Sequence, residues 1–203
     1  MADDVTADDV IKMMVGRQLD HYFPDLAQPQ ELGEVVLRLK DASNSSVKNI
    51  DLAVRAGEIV GFSGLEGSGR TALAHALFGV EPFESGSLEI NGQVREIKSP
   101  SQAIKHRIGF VTEDRKAEGI MPNQPLRDNI LISVRSLQSI IKRIVPNGIS
   151  GNKDLVPQLV EQVDVRAQSY EQEVQYLSGG NQQKVVLAKW LAATADIFIF
   201  DEP

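Results

Sequence analysis

Residues 58–78 restrict the possible fold of this chain more than any other stretch, because they combine an apolar run, a glycine-rich loop and a helical segment. The loop, residues 64–71, is GLEGSGRT. Its three glycines allow the backbone to curl so that successive amide groups face inward. We predict a buried strand at Glu58–Phe62 before it and a helix at Thr71–Phe78 after it, whose positive end points at the same spot. This order predicts an α/β protein with a phosphate-binding loop.

The loop departs from the phosphate-binding pattern G-x-x-x-x-G-K-[ST] at its seventh position, where Arg70 replaces lysine. Arginine keeps the charge but not the compact ammonium group, and Glu66 adds a carboxylate that opposes phosphate binding. Taken alone, the loop leaves a nucleotide site and an empty glycine-rich turn equally open. The predicted nucleotide-binding residues are Gly64, Leu65, Glu66, Gly67, Ser68, Gly69, Arg70 and Thr71, and the Thr71 hydroxyl is also a predicted Mg²⁺ ligand.

A second element is an apolar run followed by two acids near the end of the chain. Residues 197–200 read IFIF and precede Asp201 and Glu202. We predict that this run is a buried strand, that Asp201 holds the water shell of Mg²⁺, and that Glu202 is the catalytic base that orients and deprotonates an attacking water. The alternative is a strand that ends in a solvated acidic turn.

A third element, LSGGNQQK at residues 177–184, stands directly before a predicted helix at Asn181–Ala193. It resembles LSGGQ, the signature of ATP-binding cassette (ABC) proteins. A serine and two glycines at a helix start expose amide groups that suit a phosphate, and the resemblance implies that this phosphate belongs to a nucleotide on an opposing cassette. The signature residues are Leu177, Ser178, Gly179, Gly180, Asn181 and Gln182.

The sequence IGFVTEDRK at residues 108–116 narrows the resemblance. Together with GSGRT and LSGGNQQK, it is similar to the second cassette of the two-cassette ATPases of ribose-, galactose- and xylose-type importers. Glu113 stands where most cassettes have a glutamine that reaches the metal, so the resemblance makes it a third metal ligand beside Thr71 and Asp201. It implies ATP and Mg²⁺ as cofactors.

The resemblance implies an α/β fold: a P-loop NTPase (RecA-like) core, an antiparallel β subdomain and a helical subdomain that carries the signature, C-terminally incomplete. We expect residues 1–33 to be an arm from a preceding cassette and residues 34–203 to be the nucleotide-binding domain. Within it we predict a core and β subdomain at 34–114, a helical subdomain at about 115–177, and the signature helix and acidic strand at 178–203. Because the family continues beyond the acidic strand, we expect this chain to be a piece of a longer protein with little ATPase activity alone.

Composition limits the function classes. The net charge of −7, most of it in the first 34 residues, argues against binding of nucleic acid through a basic face. The sequence has no cysteine for a disulfide or a thiolate metal site. It has no apolar run long enough to cross a bilayer.

The resemblance implies a cytoplasmic protein, peripheral on the inner face of the membrane. The implied partners are a second cassette, transmembrane permease subunits and, indirectly, an external sugar-binding protein.

Two functions remain open from the sequence. One is the ATPase that energises sugar import and also gives its signature to the partner's ATP site. The other is a degenerate cassette that binds nucleotide for regulation but does not hydrolyse it at its own site. Glu202 favours the first, whereas Arg70 and Glu113 favour the second. Residues 41–46 lack the aromatic that cassettes usually stack on adenine, so we expect weak base stacking.

Overall fold

The computed structural model describes residues 32–141 and 155–202. Nearly all of the predicted arm lies outside these residues, as does a helix break predicted at Pro146-Asn147-Gly148. In the described part, a four-stranded antiparallel sheet has the order β2-β1-β3-β4. Its strands are β1 (Val35–Ser43), β2 (Ile50–Arg55), β3 (Ser85–Ile90) and β4 (Gln93–Arg95).

Asn91-Gly92 is a dipeptide typical of tight turns and predicts a hairpin between Ser87–Ile90 and Gln93–Ile97, which β3 and β4 form. Asn91 and Gly92 both have positive φ, 49° and 72°, which is the geometry that a two-residue connection between twisted strands requires. The second strand is shorter than expected, since it ends at Arg95 and not at Ile97. On the inner face of the sheet, Leu39 and Leu88 form a buried pair opposite each other.

A second, parallel sheet consists of β5 (Ile108–Val111) and β6 (Ile197–Phe200), in register from Ile108–Ile197 to Val111–Phe200. The apolar runs Ile108–Val111 and Ile197–Phe200 each predict a short strand, and both strands lie at these positions. Parallel strands bring their carboxyl ends to one edge, so the residues after Val111 and Phe200 are neighbours. This edge carries the predicted metal and catalytic residues.

Five α-helices surround these sheets in the described part: α1 (Arg70–Phe78), α2 (Pro100–Lys105), α3 (Leu126–Ile141), α4 (Leu155–Gln162) and α5 (Gly179–Ala192). A π-turn at Arg115–Gly119 and a 3₁₀ turn at Val174–Tyr176 complete the elements. Helix α1 ends at Gly79, whose positive φ of 78° caps it, as the sequence predicts. None of these helices is long and apolar enough to span a membrane.

The sequence predicts that α2 starts with Ser99 as its cap, Pro100 in the first turn and Gln102 completing a capping box, and this is only partly right. Pro100 occupies its first turn as expected, but the Ser99 side chain makes no capping hydrogen bond. The Gln102 carboxamide oxygen instead accepts from the Lys98 amide at 2.6 Å. The glutamine thus reaches one residue further back than a capping box requires.

The predicted strand at Glu58–Phe62 is wrong for this structure. These residues form no strand, and the side chains of Ile59 and Phe62 are 97% and 50% exposed. A strand exists only where a neighbour pairs with its amide and carbonyl groups. In the part of the chain that the structure describes, the run pairs with neither β5 nor β6, whose sheet has these two strands alone, so its backbone lacks the partner that a strand requires.

Trp190 on α5 holds the parallel sheet against the helices. Its indole Nε1 donates to the Phe110 carbonyl oxygen at 2.6 Å, and its ring meets that of Phe78 edge to face at 5.5 Å. Gly109 allows this approach, since a Cβ there would lie 3.0 Å from Trp190. The prediction that Val186 and Trp190 belong to the core is confirmed by their 0% and 5% exposure.

Candidate functional site

A cleft of about 510 Å³ opens between the start of α1 and the carboxyl ends of β5 and β6, and we call it the loop cleft. Six of the eight predicted nucleotide-binding residues line it, from Glu66 to Thr71, together with Ser46, Ala72, Glu113 and Glu202. Gly64 and Leu65 do not line it, and the Leu65 side chain is 86% exposed. Their contact with a nucleotide stays a prediction.

The backbone of the loop depends on glycine at specific positions. Gly67 and Gly69 have φ angles of 76° and 93°, which side-chain-bearing residues rarely adopt. The Ser68 amide donates to the Leu65 carbonyl oxygen at 3.0 Å and closes the turn. Gly69 then begins α1 with no side-chain cap and no acid in the first turn. The first amides of α1 are consequently available to an anion.

Arg70 and Glu202 form an ion pair across the loop cleft, with Nη2 and Oε1 2.9 Å apart. The side chains are 32% and 52% exposed, so water screens the pair. The residue that replaces the usual lysine is thus held by the residue predicted to be the catalytic base. Sequence reasoning missed this contact, because nothing in two segments 132 positions apart indicates it.

Asp201 lies beneath the cleft with 6% exposure, and its Oδ2 has no hydrogen-bond partner. Its amide donates to the Val111 carbonyl oxygen at 2.9 Å, which fixes it at the carboxyl edge of the parallel sheet. Thr112, the first residue after β5, has a buried hydroxyl that is likewise without a partner. Buried polar atoms without partners are rare in folded proteins and indicate a water or ion to be accommodated.

The three predicted metal ligands divide between the surface and the interior of this region. Thr71 and Glu113 line the loop cleft, whereas Asp201 is buried. Among the described residues, no three His, Asp or Glu side chains come close enough to hold a metal by themselves. Mg²⁺ is commonly held by one or two carboxylates with waters and phosphate oxygens. The residues present therefore fit that ion when a nucleotide supplies the remaining oxygens.

Ser46 also lines the loop cleft. From the sequence, its segment was notable only because it lacks an aromatic residue to stack on adenine. The Ser46 amide donates to the Asn44 Oδ1 at 2.9 Å, and Asn44 is itself buried and bound to the Glu81 carbonyl oxygen. This asparagine turn places Ser46 opposite the loop. No aromatic residue is among those that line the cleft, so weak base stacking stays our prediction.

The signature forms an exposed turn at the start of α5. Ser178 and Gly180 are exposed, and a Cβ on Gly180 would meet open space. The Asn181 amide group donates to the Ser178 hydroxyl at 3.0 Å and accepts from the Arg166 backbone amide at 2.8 Å. Asn181 therefore fixes the orientation of the serine hydroxyl. Leu177 and Gln182, the first and last residues of the signature, are buried and pack beneath the turn.

The signature turn lies apart from the loop cleft. It borders a second cleft of about 510 Å³, whose lining shares no residue with the first: Val165, Arg166, Ala167, Gln168, Gln172, Tyr176, Leu177 and Ser178. The structure therefore does not bring the loop and the signature of one chain together. This separation fits the expectation that they serve two different nucleotide sites.

The family of this chain follows from its sequence as a whole. The model of the ABC transporter family matches residues 47–203, which include the loop, the signature and the acidic strand. The chain belongs to the ABC transporter family.

A putative ribose/galactose/methyl galactoside import ATP-binding protein of Halalkalibacterium halodurans is 45% identical over 203 residues, which cover all of this chain and 38% of that protein. The ribose import ATP-binding protein RbsA of Lactococcus lactis subsp. cremoris is 41% identical, over 98% of this chain and 40% of its own length. The chain thus spans about two fifths of these relatives.

Solved structures show the same fold. A nucleotide-free ATP-binding cassette from an ABC transporter superposes with a TM-score of 0.65 at 16% identity, over 83% of this chain and 69% of its own. A cassette captured as a dimer with ADP and Pi after hydrolysis gives 0.63 at 20% identity, over 81% and 73% of the two chains. At these identities the likeness concerns the fold, and the predicted cassette fold is confirmed.

Proposed function

We propose that this chain is the second cassette of an ATPase that energises sugar import and that it binds ATP in the loop cleft. The observation that carries the proposal is the loop cleft itself, where the uncapped start of α1 faces an edge with a buried, unpartnered aspartate. The names of the relatives, which are ribose or ribose/galactose import ATP-binding proteins, support the substrate class.

In the proposed binding mode, the amides from Gly67 to Thr71 donate to the phosphates, and Arg70 supplies the positive charge. Thr71, Asp201 and Glu113 would hold Mg²⁺, which neutralises charge on the phosphate oxygens when it is bound. Bound phosphates would compete with Glu202 for the Arg70 guanidinium, which lies 2.9 Å from the Glu202 carboxylate in this structure. Release of Glu202 would leave the carboxylate free to orient water and take its proton.

The signature turn would act on a different nucleotide. Ser178 and Gly180 are exposed at the start of α5, where the first amides of a helix can donate to a phosphate held by another cassette. We therefore propose a second cassette as the direct partner, with permease subunits and an external sugar-binding protein in the complete importer. This assembly would place the chain at the cytoplasmic face of the membrane. We propose no role in nucleic-acid binding.

One observation favours the alternative, a cassette that binds nucleotide but does not hydrolyse it at its own site. The ion pair with Arg70 engages one oxygen of the Glu202 carboxylate, and that oxygen is not available to orient a water while the pair is intact. In that case the loop cleft would regulate assembly, while the signature turn would still complete the partner's active site.

The purified chain should hydrolyse ATP at less than about 1% of the rate of the assembled transporter, because loss of oxyanion-type donors costs 10²–10³ in rate. A phosphate-release assay on both preparations measures this. ATP binding by the purified chain is the control that it is folded. Turnover by the chain alone at a rate close to that of the assembly would contradict the proposed dependence on a second cassette.

A further inference from the structure

The start of α5 is uncapped although a capping residue is in place. The first hydrogen bond of the helix runs from the Gln182 amide to the Ser178 carbonyl oxygen at 2.9 Å. The amides of Gly179, Gly180 and Asn181 donate to no atom among residues 32–141 and 155–202. A serine directly before a helix ordinarily accepts from the second or third of these amides through its side chain. The Ser178 side chain makes no such bond.

Asn181 holds the serine hydroxyl in another contact. Its Nδ2 donates to the Ser178 Oγ at 3.0 Å. In a capping box, the third residue of the helix reaches the backbone amide of the capping residue. Asn181 stands at that third position but reaches the hydroxyl instead. The hydroxyl therefore lies beside the Asn181 side chain, and the first amides of the helix stay free.

The direction of the bond between Asn181 and Ser178 follows from the other end of the carboxamide. The Asn181 Oδ1 accepts from the Arg166 backbone amide at 2.8 Å, and a backbone amide can only donate. The group that faces Ser178 must then be the NH₂ group, which donates to the hydroxyl oxygen. Ser178 keeps its own hydrogen for a different acceptor. Phosphate oxygens are acceptors, so the hydroxyl has the polarity that a phosphate requires.

The loop that carries the Arg166 amide is itself attached to α5. The Lys184 Nζ donates to the Asp164 carbonyl oxygen at 2.5 Å and to the Asp164 Oδ2 at 2.9 Å. Asp164 lies two residues before Arg166, so the helix holds this loop both at Asn181 and at Lys184. The orientation of the Asn181 carboxamide is thus fixed from outside the signature turn.

We propose that Asn181 is a positioning residue that keeps the start of α5 uncapped and presents the Ser178 hydroxyl as a donor to the partner's phosphate. The inference rests on the proposed function, since it requires the signature turn to meet a nucleotide on a second cassette. Without the Asn181 side chain, Ser178 is free to accept from the amides of its own helix, as a capping serine does. The turn then offers fewer donors to a phosphate.

The test compares the kcat of the assembled ATPase with Asn181→Asp, Asn181→Ala, Ser178→Ala and the double alanine variant. Asn181→Asp still accepts from the Arg166 amide, but it can only accept from Ser178 and so turns the hydroxyl hydrogen inward. We expect Asn181→Asp and Ser178→Ala each to lower kcat about 100-fold, as for loss of one preorganised donor. Asn181→Ala should lower it about tenfold, and less than about twofold further in the Ser178→Ala background, because it acts through that hydroxyl.

Thermal unfolding of the purified chain separates positioning from support of the fold. The Tm of Asn181→Asp should equal or exceed that of wild type, because an acid in the first turn suits the helix dipole and α5 has none there. Gln158→Ala is the control for loss of a helical carboxamide, since Gln158 is exposed on α4 outside both clefts. It should keep wild-type kcat.

Wild-type kcat in Asn181→Asp would overturn the proposal. A Tm of Asn181→Asp below that of wild type would also overturn it, because the side chain would then support the fold. Effects of the two alanine substitutions that multiply in the double variant would overturn it as well. Ser178→Ala separates the two levels. If it lowers kcat while Asn181→Asp does not, only the role of Asn181 fails; if it leaves kcat unchanged, the proposed function fails.

Discussion

Replacing Ser178 with phenylalanine is expected to lower ATP turnover of the assembled transporter about 100-fold or more. The serine is exposed at the start of α5, and its hydroxyl is oriented by Asn181 at 3.0 Å. A phenyl ring there would cover the amides of Gly179 and Gly180 and keep an approaching phosphate out of reach. Loss of one preorganised donor costs 10²–10³ in rate, and this change blocks several.

The measurement is steady-state ATP turnover with wild-type and variant chains in the same assembly. Ser101→Phe is a matched control, because Ser101 is also exposed in the first turn of a helix, α2, outside both clefts. We expect this control to keep wild-type turnover. ATP binding by the purified Ser178→Phe chain should also be unchanged, since its loop cleft is intact. Full turnover in the Ser178→Phe assembly would refute the role of the signature turn.

Replacing Glu202 with glutamine should have two opposite effects, tighter ATP binding by the chain and slower hydrolysis. Three carboxylates line the loop cleft, those of Glu66, Glu113 and Glu202, and each repels phosphate. The substitution removes one of them and releases Arg70 from its ion pair. We expect affinity for ATP to rise about tenfold, equivalent to ~1.4 kcal/mol. Hydrolysis at this site should fall about 100-fold or more, because loss of the general base alone costs 10²–10⁴.

Isothermal titration of the purified chain with ATP gives the affinity, and single-turnover hydrolysis in the assembled transporter gives the rate. Glu84→Gln makes the same chemical change at an exposed carboxylate outside the cleft, and it should alter neither quantity. Weaker ATP binding in Glu202→Gln would show that the carboxylate supports the nucleotide and does not compete with it. Unchanged single-turnover hydrolysis, with tighter binding, would favour the cassette that does not hydrolyse at its own site.

The elements that local patterns specify were predictable from the sequence. Asn91-Gly92 fixed the hairpin because the turn requires positive φ at both positions. The apolar runs at Ile108–Val111 and Ile197–Phe200 are strands with the predicted bounds. The first is buried as predicted, but the predicted burial of the second is wrong, because its first three residues are half-buried and Phe200 is 54% exposed. The start of α5 was also expected, although the helix begins at Gly179, two residues earlier than predicted.

What the sequence could not supply depends on partners distant in the chain. The apolar run Glu58–Phe62 has the composition of a strand, but strand formation depends on a neighbour, which local pattern does not reveal. The ion pair of Arg70 with Glu202 and the contact of Arg115 with the signature turn join segments more than 60 positions apart. Both were invisible to motif reading, which treated each segment separately.

The loop cleft is expected to bind the phosphates of ATP with Mg²⁺. Titration of the purified chain with ATP, in Mg²⁺ and again in EDTA, tests it most directly, with adenosine and the Arg70→Lys chain as comparisons. We expect saturable binding of ATP that Mg²⁺ strengthens about tenfold or more. Binding should be tighter in Arg70→Lys, whose compact ammonium suits the loop, and far weaker for adenosine. Equal binding of ATP and adenosine, or binding that neither Mg²⁺ nor Arg70→Lys alters, would contradict it.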